Sequence, residues 1–224
     1  DGDVTTLSTI QEETYIQAEI HAMEELVFAG NTIIPHCFGK GCQVEINSDD
    51  GDFLSRGDVI GIIGGQARDI LSRERVMLNL VQRLCGIATV AQQYAKLAAP
   101  HNVKILDTRK TTPGLRLLEK YAVTCGGGYN HRLNLSEGLL IKDNHLKAAG
   151  SVKEAVENLR KLHTSLPIEL EVDTQNQIIE GLSVGVDGFL LDNMQPENIR
   201  KSVQIIRNFP GGGSIFVEAS GGIT

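Results

Sequence analysis

The stretch 168–193, IELEVDTQNQIIEGLSVGVDGFLLDN, decides the fold. Two apolar runs, Ile168–Val172 and Val186–Leu191, stand on either side of Gln175–Leu182, a stretch whose pattern suits a short helix. A strand, a helix and a second strand in this order, with both strands largely apolar, are typical of a buried parallel sheet. Residues 168–193 therefore predict one βα unit of an α/β sheet or barrel.

The same alternation extends in both directions from this unit. Further apolar runs occur at Val103–Leu106, Leu139–Ile141 and Ile215–Val217. A capping box at Ser151 predicts a helix to about His163, and Pro196 lies near the first turn of another helix that runs to about Asn208. A complete eight-stranded barrel needs more chain than follows Pro100, so we expect an incomplete (β/α) barrel.

The first part of the chain has a different pattern. Residues 1–65 contain short strands and turns, and the segment 14–30 mixes strand and helix signals. Apolar residues at three- and four-residue steps predict a long amphipathic helix over 68–97, which we expect Gly86 to bend or interrupt. We therefore expect two domains, which divide after residue 98.

Charged or polar residues mark the end of every predicted strand. In chain order these residues are Arg109 and Lys110, then Lys142, then Glu171, then Asp192, and finally Ser220, which Gly221 and Gly222 follow. In a (β/α) barrel the carboxyl ends of the strands form one rim, where active sites are built. The sequence therefore predicts that these side chains share a rim.

The charge of the chain is unevenly distributed. The net charge of the 224 residues is −7, but residues 83–147 carry ten Lys/Arg and four Asp/Glu, a local charge of +6, and the rest of the chain carries −13. An acidic chain with one basic segment argues against duplex DNA binding and favours a small polyanion in a cleft. A solvated basic surface is the alternative.

The cysteines and the N-terminus indicate the compartment. Cys37, Cys42, Cys85 and Cys125 show no CxxC pairing, which favours reduced thiols in a cytoplasmic protein, although His36, Cys37 and Cys42 leave a metal site open. The opening DGDVTTLSTI has neither a basic nor an apolar signal region, and no run of 18 apolar residues occurs, so we expect neither secretion nor a membrane span.

The residue types at the predicted rim indicate their ligands. Arg and Lys side chains bind carboxylates and phosphates, whereas Glu171 and Asp192 would repel an anion unless a divalent ion such as Mg²⁺ bridges them. Alternatively, these two carboxylates are paired with Lys142 and Arg132. Ser220-Gly221-Gly222 is either a phosphate-binding turn or an ordinary one, and His131 is either functional or structural.

The chain resembles the quinolinate phosphoribosyltransferase family over nearly its whole length. The resemblance rests on several ordered blocks, of which the central one is the most specific. They are DGDVTT, ERVMLNLVQRLCGIAT, DTRKTTPGLRLLEKYAVTCGGGYNHRLNLSEGLLIKDNH, LEVDT, GFLLDNM and VEASGGIT. The resemblance implies an N-terminal open α/β sandwich, here 1–98, and an incomplete α/β barrel, here 99–224. It also implies condensation of quinolinate with phosphoribosyl pyrophosphate, which releases pyrophosphate and CO₂ and gives nicotinate mononucleotide for NAD synthesis.

The resemblance also implies the roles of individual residues. The residues that match the quinolinate pocket are Arg83, Arg109, His131, Arg132 and Lys142, and Arg83 would reach the site of the partner subunit in a homodimer or higher homo-oligomer. The residues that match the phosphoribosyl pyrophosphate site are Lys110, Glu171, Asp192, Ser220 and Gly221. Of these, Lys110, Glu171 and Asp192 would be catalytic, and Glu171 and Asp192 would hold Mg²⁺ directly or through water. The family's opening helix and its tail after Gly-Gly-Ile-Thr are not in this sequence, so we expect a trimmed chain.

Three other functions stay open. The first is a molybdenum-transport-associated relative of the same fold that acts on another substrate. The second is a catalytically silent anion-binding protein. The third, nucleic-acid binding, would require affinity that depends steeply on salt.

Overall fold

A computed structural model describes residues 2–162 and 165–223, and these residues pack as two compact units that divide between Leu133 and Asn134. The first unit contains a small antiparallel sheet and four α-helices, and the second contains a parallel sheet with four α-helices. The predicted α/β fold class is confirmed. No helix in the described part of the chain is both long and apolar enough to cross a bilayer.

The first unit is built around one long helix. Its strands are β1 (Tyr15–His21), β2 (Leu26–Val27), β3 (Gln43–Ile46), β4 (Phe53–Leu54) and β5 (Val59–Gln66). Its helices are α1 (Val4–Thr9), α2 (Ile34–Cys37), α3 (Ala67–Ala98) and α4 (Arg116–Cys125). Three strands form an antiparallel sheet in the order β1-β5-β3, and β2 pairs with β4.

The long helix α3 supplies much of the first core. Its buried positions are Ala67, Ile70, Met77, Val81, Leu84, Cys85, Ala88 and Ala91. They recur at three- to four-residue steps along most of the helix, which confirms the predicted amphipathic pattern. The predicted interruption at Gly86 is wrong, because the helix is continuous there and Gly86 is exposed, with open space around its Cα. The mixed segment 14–30 contains two strands, β1 and β2.

Helix α4 packs against α3, and the glycine-rich turn that follows it allows this close approach. A Cβ on Gly126 would lie 2.3 Å from Ala88 O, and Gly127 has a φ of +81°. These glycines are therefore required by packing and by backbone conformation. Residues 99–133 lie in the first unit together with α4, whereas the predicted domain division after residue 98 stays a prediction.

The second unit repeats strand and helix. Its strands are β6 (Leu139–Ile141), β7 (Ile168–Val172), β8 (Gly188–Asp192) and β9 (Phe216–Ser220), which pair in parallel in the order β6-β7-β8-β9. Its helices are α5 (Asp143–Ala149), α6 (Val152–Leu162), α7 (Gln175–Val184) and α8 (Pro196–Asn208). Ile168, Leu170, Phe189 and Leu191 are fully buried in its core. Helices α6, α7 and α8 lie where the sequence predicts them, although the predicted helix end near His163 falls outside the described residues.

Four of the five predicted strands form, and the first does not. The run Val103–Leu106 makes only one isolated bridge, between Leu106 and Tyr129. Asp107 N donates to Tyr129 O and Tyr129 N donates to Ile105 O. The partner segment follows a tight glycine turn, so it offers a single residue for pairing, and the ladder ends there.

Candidate active site

A buried charge network lies in the first unit, between α4 and the segment that follows it. Lys120 and Asp107 form an ion pair with 3% and 6% of their side chains exposed. Lys120 Nζ also donates to His131 O at 2.8 Å, and His131 N donates to Asp107 Oδ1 at 2.9 Å. The Asn130 amide, with its nitrogen turned toward the acceptors, donates to Asp107 Oδ2 at 2.6 Å and to Lys120 O at 2.9 Å. The network therefore binds both backbone polar groups of His131.

The predicted pair His131-Arg132 has a defined local geometry. Arg132 N donates to His131 Nδ1 at 2.8 Å, so this ring nitrogen is an acceptor and any proton on the neutral ring is on Nε2. Both residues are half-buried. The structure thus places both residues, which are predicted to bind quinolinate, on a main chain held by hydrogen bonds.

A second charge cluster joins Arg83 of α3 to Glu119 of α4. Arg83 Nε and Nη2 donate to Glu119 Oε1 at 2.8 and 2.6 Å, and Nη2 also donates to Thr112 Oγ1 at 2.6 Å. Glu119 Oε2 accepts from Thr112 N at 3.1 Å. Burial acts to raise the pKa of Glu119, but the hydrogen bonds from Arg83 and Thr112 outweigh it and hold this pKa below its usual value.

The Arg109-Lys110 segment is anchored through its backbone. Arg116 Nη2 donates to Arg109 O at 3.3 Å, and Arg116 Nε donates to Thr111 Oγ1 at 3.1 Å. The Nε of Arg109 is buried and has no hydrogen-bond partner among the described residues, whereas Lys110 is exposed. The Arg109 side chain therefore keeps a hydrogen-bond donor for a ligand, although its backbone is held in place.

The carboxyl ends of the strands in the second unit bring together the other predicted residues. Lys142 Nζ donates to Glu171 Oε2 at 2.5 Å, and this ion pair joins neighbouring strand ends, since Ile141 is paired with Leu170. The alternative that Glu171 pairs with Lys142 is therefore confirmed. The side chain of Lys142 is 44% exposed, so the pair remains open to a ligand.

The carboxyl ends of β8 and β9 lie side by side and are joined by hydrogen bonds between polar groups. Asp192 is paired with Ser220, and Asn193 N donates to Ser220 O at 2.8 Å. Asn193 Nδ2 donates to Asp192 Oδ2 at 2.7 Å. Gly221 has a φ of +82°, and a Cβ there would lie 2.1 Å from Asn193 Oδ1, so only glycine fits. Packing against Asn193 therefore explains the glycine at position 221, and phosphate binding by the Ser-Gly-Gly turn stays a prediction.

The carboxylates of this rim are suitable ligands for Mg²⁺. Glu171 is paired with Leu190, two residues before Asp192, so the side chains of Glu171 and Asp192 project from neighbouring strands on one face of the sheet. Hard carboxylate oxygens that are only half-buried are the donors that Mg²⁺ uses together with water and phosphate.

The alternative metal site in the first unit is wrong. His36 Nδ1 is bonded to Thr32 O at 2.8 Å and Cys37 Sγ donates to Ile33 O at 3.5 Å. Within residues 2–162 and 165–223, the ligand atoms of His36, Cys37 and Cys42 do not gather at metal-binding distances. Burial raises the pKa values of both thiols, which favours the protonated form.

Sequence reasoning missed the residues of α4 that organise the first unit. Glu119 and Lys120 are both buried, although Lys is seldom buried. A signal for the helix was present, because Leu118, Tyr121, Ala122 and Cys125 recur at three- and four-residue steps. No local pattern indicates that the charged residues between them face inward.

The fold is that of an α/β protein with a small N-terminal sheet unit and a C-terminal parallel sheet, and each unit carries charged side chains suited to anionic ligands. Family models match 3–85, as "Quinolinate phosphoribosyl transferase, N-terminal domain", and 87–224, as the C-terminal domain. The chain therefore belongs to the quinolinate phosphoribosyltransferase family, as the resemblance indicated.

Individual relatives agree with this assignment. A "Probable nicotinate-nucleotide pyrophosphorylase [carboxylating]" of Bacillus subtilis is 44% identical, over 100% of this chain and 76% of the relative. A protein of the same name from Methanothermobacter thermautotrophicus is 39% identical, over 99% of this chain and 81% of the relative. Among solved structures, NadC from Streptococcus pyogenes has a TM-score of 0.90 at 36% identity, and the match covers 99% of this chain and 78% of that one.

Proposed function

We propose that this protein is a decarboxylating pentosyltransferase that condenses quinolinate with phosphoribosyl pyrophosphate. The products are nicotinate mononucleotide, pyrophosphate and CO₂, and the pathway is de novo NAD biosynthesis. The observation that carries the proposal is the match of both family domains over 3–85 and 87–224, with relatives that carry the name of this enzyme.

Quinolinate is a dianion, and the basic residues of the chain suit it. Arg109 has a buried Nε that is free to donate to a carboxylate, and Arg binds carboxylates through a planar fork. We assign the two carboxylates of quinolinate to Arg109, His131, Arg132 and Lys142. On binding, a substrate carboxylate would compete with Glu171 for the Lys142 ammonium, which is already positioned at the strand end.

The strand rim of the second unit suits phosphoribosyl pyrophosphate. Ser220 and Gly221 lie at a turn in which Gly221 has a φ of +82°, and glycine in such a turn lets backbone N–H groups approach a phosphate. Lys110 supplies an exposed cation for the pyrophosphate. Glu171 and Asp192 would hold Mg²⁺ directly or through water, and the ion would neutralise charge on the leaving pyrophosphate.

The reaction requires electrostatic stabilisation more than covalent chemistry. The quinolinate ring nitrogen attacks the anomeric carbon as the bond to pyrophosphate breaks, and positive charge develops on the ribose. The carboxylates of Glu171 and Asp192 stabilise that charge, while Lys110 stabilises the departing anion. The ribosylated ring is then a pyridinium, whose positive charge stabilises the electron pair that loss of CO₂ from the 2-carboxylate leaves at C2. A proton from water then adds at C2 and completes nicotinate mononucleotide. The protein binds, orients and excludes water.

The proposed assembly is a homodimer or higher homo-oligomer in the cytoplasm. In it, Arg83 would reach the quinolinate of the partner subunit. Arg83 is held by Glu119 and Thr112, yet 46% of its side chain is exposed. This exposure is consistent with a residue that is oriented by its own chain and acts on a neighbouring one.

The test is product formation with matched substrates. Purified protein is incubated with phosphoribosyl pyrophosphate, Mg²⁺ and quinolinate labelled in the 2-carboxylate, and released CO₂ and nicotinate mononucleotide are measured. Nicotinate is the control substrate, because it lacks the carboxylate that is lost. Turnover of nicotinate alone would support the molybdenum-associated alternative, and binding without CO₂ release would support the silent one.

A matched pair of variants tests the binding assignment. Lys142→Met should abolish quinolinate binding in calorimetry, whereas Lys147→Met should retain it. Lys147 is an exposed lysine on helix α5, which begins directly after Lys142, and it pairs with Asp143. Equal affinity in both variants would remove Lys142 from the dicarboxylate site.

A further inference from the structure

Helix α4 carries a lysine that is almost completely buried. Lys120 is 3% exposed, and its ion-pair partner Asp107 has 6% of its side chain exposed. Burial of an ion pair carries a desolvation penalty, and apolar residues of similar volume often stabilise a fold equally well. The two charges are therefore poorly explained by stability alone.

The hydrogen bonds of this pair converge on one short segment. Lys120 Nζ donates to His131 O, and Asp107 Oδ1 accepts from His131 N. Asp107 Oδ2 accepts from Asn130, whose amide also donates to Lys120 O. The pair thus holds the main chain of His131 at both its N–H and its carbonyl, and it holds Asn130 through the side-chain amide.

Fixing this main chain also fixes the His131 ring. Arg132 N donates to His131 Nδ1 at 2.8 Å, so ring orientation and tautomer depend on the backbone conformation that the pair maintains. Lys120 itself is too buried to be an electrostatic contact for a solvent-exposed ligand. Its effect on a ligand must act through the residues that it holds.

We infer that Asp107 and Lys120 are positioning residues, which hold His131 and Arg132 in the geometry that binds the dianionic pyridine. The inference rests on the proposed function and deepens it, because nothing in the resemblance assigns a role to either residue. Preorganisation of this kind lowers the ordering cost of ligand binding, and loss of about 1 Å of alignment can reduce a rate by about 10²-fold.

The experiment compares a charge-neutral double variant with a control on the same helix. The double variant Asp107→Asn/Lys120→Met removes both charges without leaving either one buried alone. Tyr121→Phe is the control. Tyr121 follows Lys120 on α4, and the substitution removes its hydrogen bond to Asp50, which is not part of the Asp107–Lys120 network. Folding is checked by circular dichroism, and KM is measured for quinolinate and for phosphoribosyl pyrophosphate.

The double variant should raise KM for quinolinate by about tenfold or more. KM for phosphoribosyl pyrophosphate should stay within about twofold, and Tyr121→Phe should change neither. An unchanged KM for quinolinate would overturn the inference, as would an equal rise for both substrates or the same rise in Tyr121→Phe. If the double variant does not fold, Asn130→Ala replaces it in the test, because Asn130 is exposed. This variant should raise KM for quinolinate alone, by about threefold to tenfold.

A spectroscopic readout separates this inference from the proposed function. The ¹⁵N shifts of the His131 ring report which nitrogen carries the proton. The free wild-type protein should show an unprotonated Nδ1, and the double variant or Asn130→Ala should show a mixture. If the wild type does not turn over quinolinate, the proposed function fails, but this shift still tests the positioning. Identical His131 spectra in wild type and variant would overturn the positioning role even in an active enzyme.

Discussion

Replacement of Glu119 by glutamine should destabilise the first unit, and the loss should depend on pH. Glu119 is 8% exposed and accepts two hydrogen bonds from Arg83 through Oε1 and one from Thr112 N through Oε2. Glutamine has nearly the same shape, but its amide nitrogen must face either the Arg83 guanidinium or the Thr112 N–H. Either orientation places a donor against a donor.

The magnitude follows from those three bonds. Hydrogen bonds to a charged group contribute about 1.5–3 kcal/mol each when buried. The side chain of Arg83 is 46% exposed, so water replaces much of what its bonds contribute. We therefore expect a loss of about 2 kcal/mol at pH 7, which lowers the melting temperature by about 4–8 °C for a chain of this size.

The pH dependence follows from the lowered pKa of Glu119. Burial opposes ionisation, but the bonds from Arg83 and Thr112 prevail, so the folded-state pKa lies below the unfolded value of about 4.3. The stabilisation by the charge is complete above that unfolded value and is lost as pH falls through the folded value. The difference in stability between the wild type and Glu119→Gln should therefore decrease as the pH falls from 7 to acidic values.

The assay is thermal unfolding by circular dichroism from pH 7 to about pH 3.5, a range that brackets the pKa of glutamate. Glu157→Gln is the matched control, because Glu157 is exposed and lies 3.9 Å from Lys153. It should change stability by less than about 0.5 kcal/mol. The reasoning would be refuted if Glu119→Gln melted at the wild-type temperature at pH 7. It would also be refuted if the difference in melting temperature stayed constant across the pH range.

Three further changes have definite expected outcomes. Gly221→Ala should weaken binding of phosphoribosyl pyrophosphate by about tenfold or more in calorimetry, because a Cβ there would lie 2.1 Å from Asn193 Oδ1 in a residue with positive φ. Phe189→Ala should reduce the free energy of unfolding by about 3–5 kcal/mol in urea, because Phe189 is fully buried. Removal of divalent ions with EDTA should abolish product formation, and added Mg²⁺ should restore it.

Controls within the chain make these outcomes decisive. Gly213 has open space around its Cα, so Gly213→Ala should bind phosphoribosyl pyrophosphate as the wild type does. Phe209 is 38% exposed, so Phe209→Ala should destabilise clearly less than Phe189→Ala. Normal binding by Gly221→Ala, equal losses in the two phenylalanine variants, or full activity in EDTA would each contradict the corresponding assignment.

Helices with strong local signals were predictable, and those without them were not. A proline in the first turn predicts the helix at Pro196–Asn208, and the capping box at Ser151 predicts the helix at Val152–Leu162. Helix α4 has apolar residues at helical steps but no side-chain cap at Leu115, so its start has no local signal. Helix α5 has only seven residues and begins directly at the end of β6, so apolar periodicity cannot develop.

The candidate residues were predictable as types and as an order along the chain. Lys142, Glu171 and Asp192 each lie at the carboxyl end of a strand, and parallel strand ends meet at one edge of a sheet. Which charges pair was open until the structure joined Lys142 to Glu171. The roles of Asp107, Glu119 and Lys120 were not predictable, because a charged residue on a helix is usually solvated.

The sequence by itself determined the strand and helix periods, the polar residue that ends each strand, and the family, because these are encoded in neighbouring residues and ordered motifs. Only the tertiary structure decided that the Val103–Leu106 run forms a single bridge and that Lys120 is buried against Asp107. Both outcomes depend on contacts between segments distant in sequence. The free energy of such contacts is set by packing and desolvation, which no local pattern records.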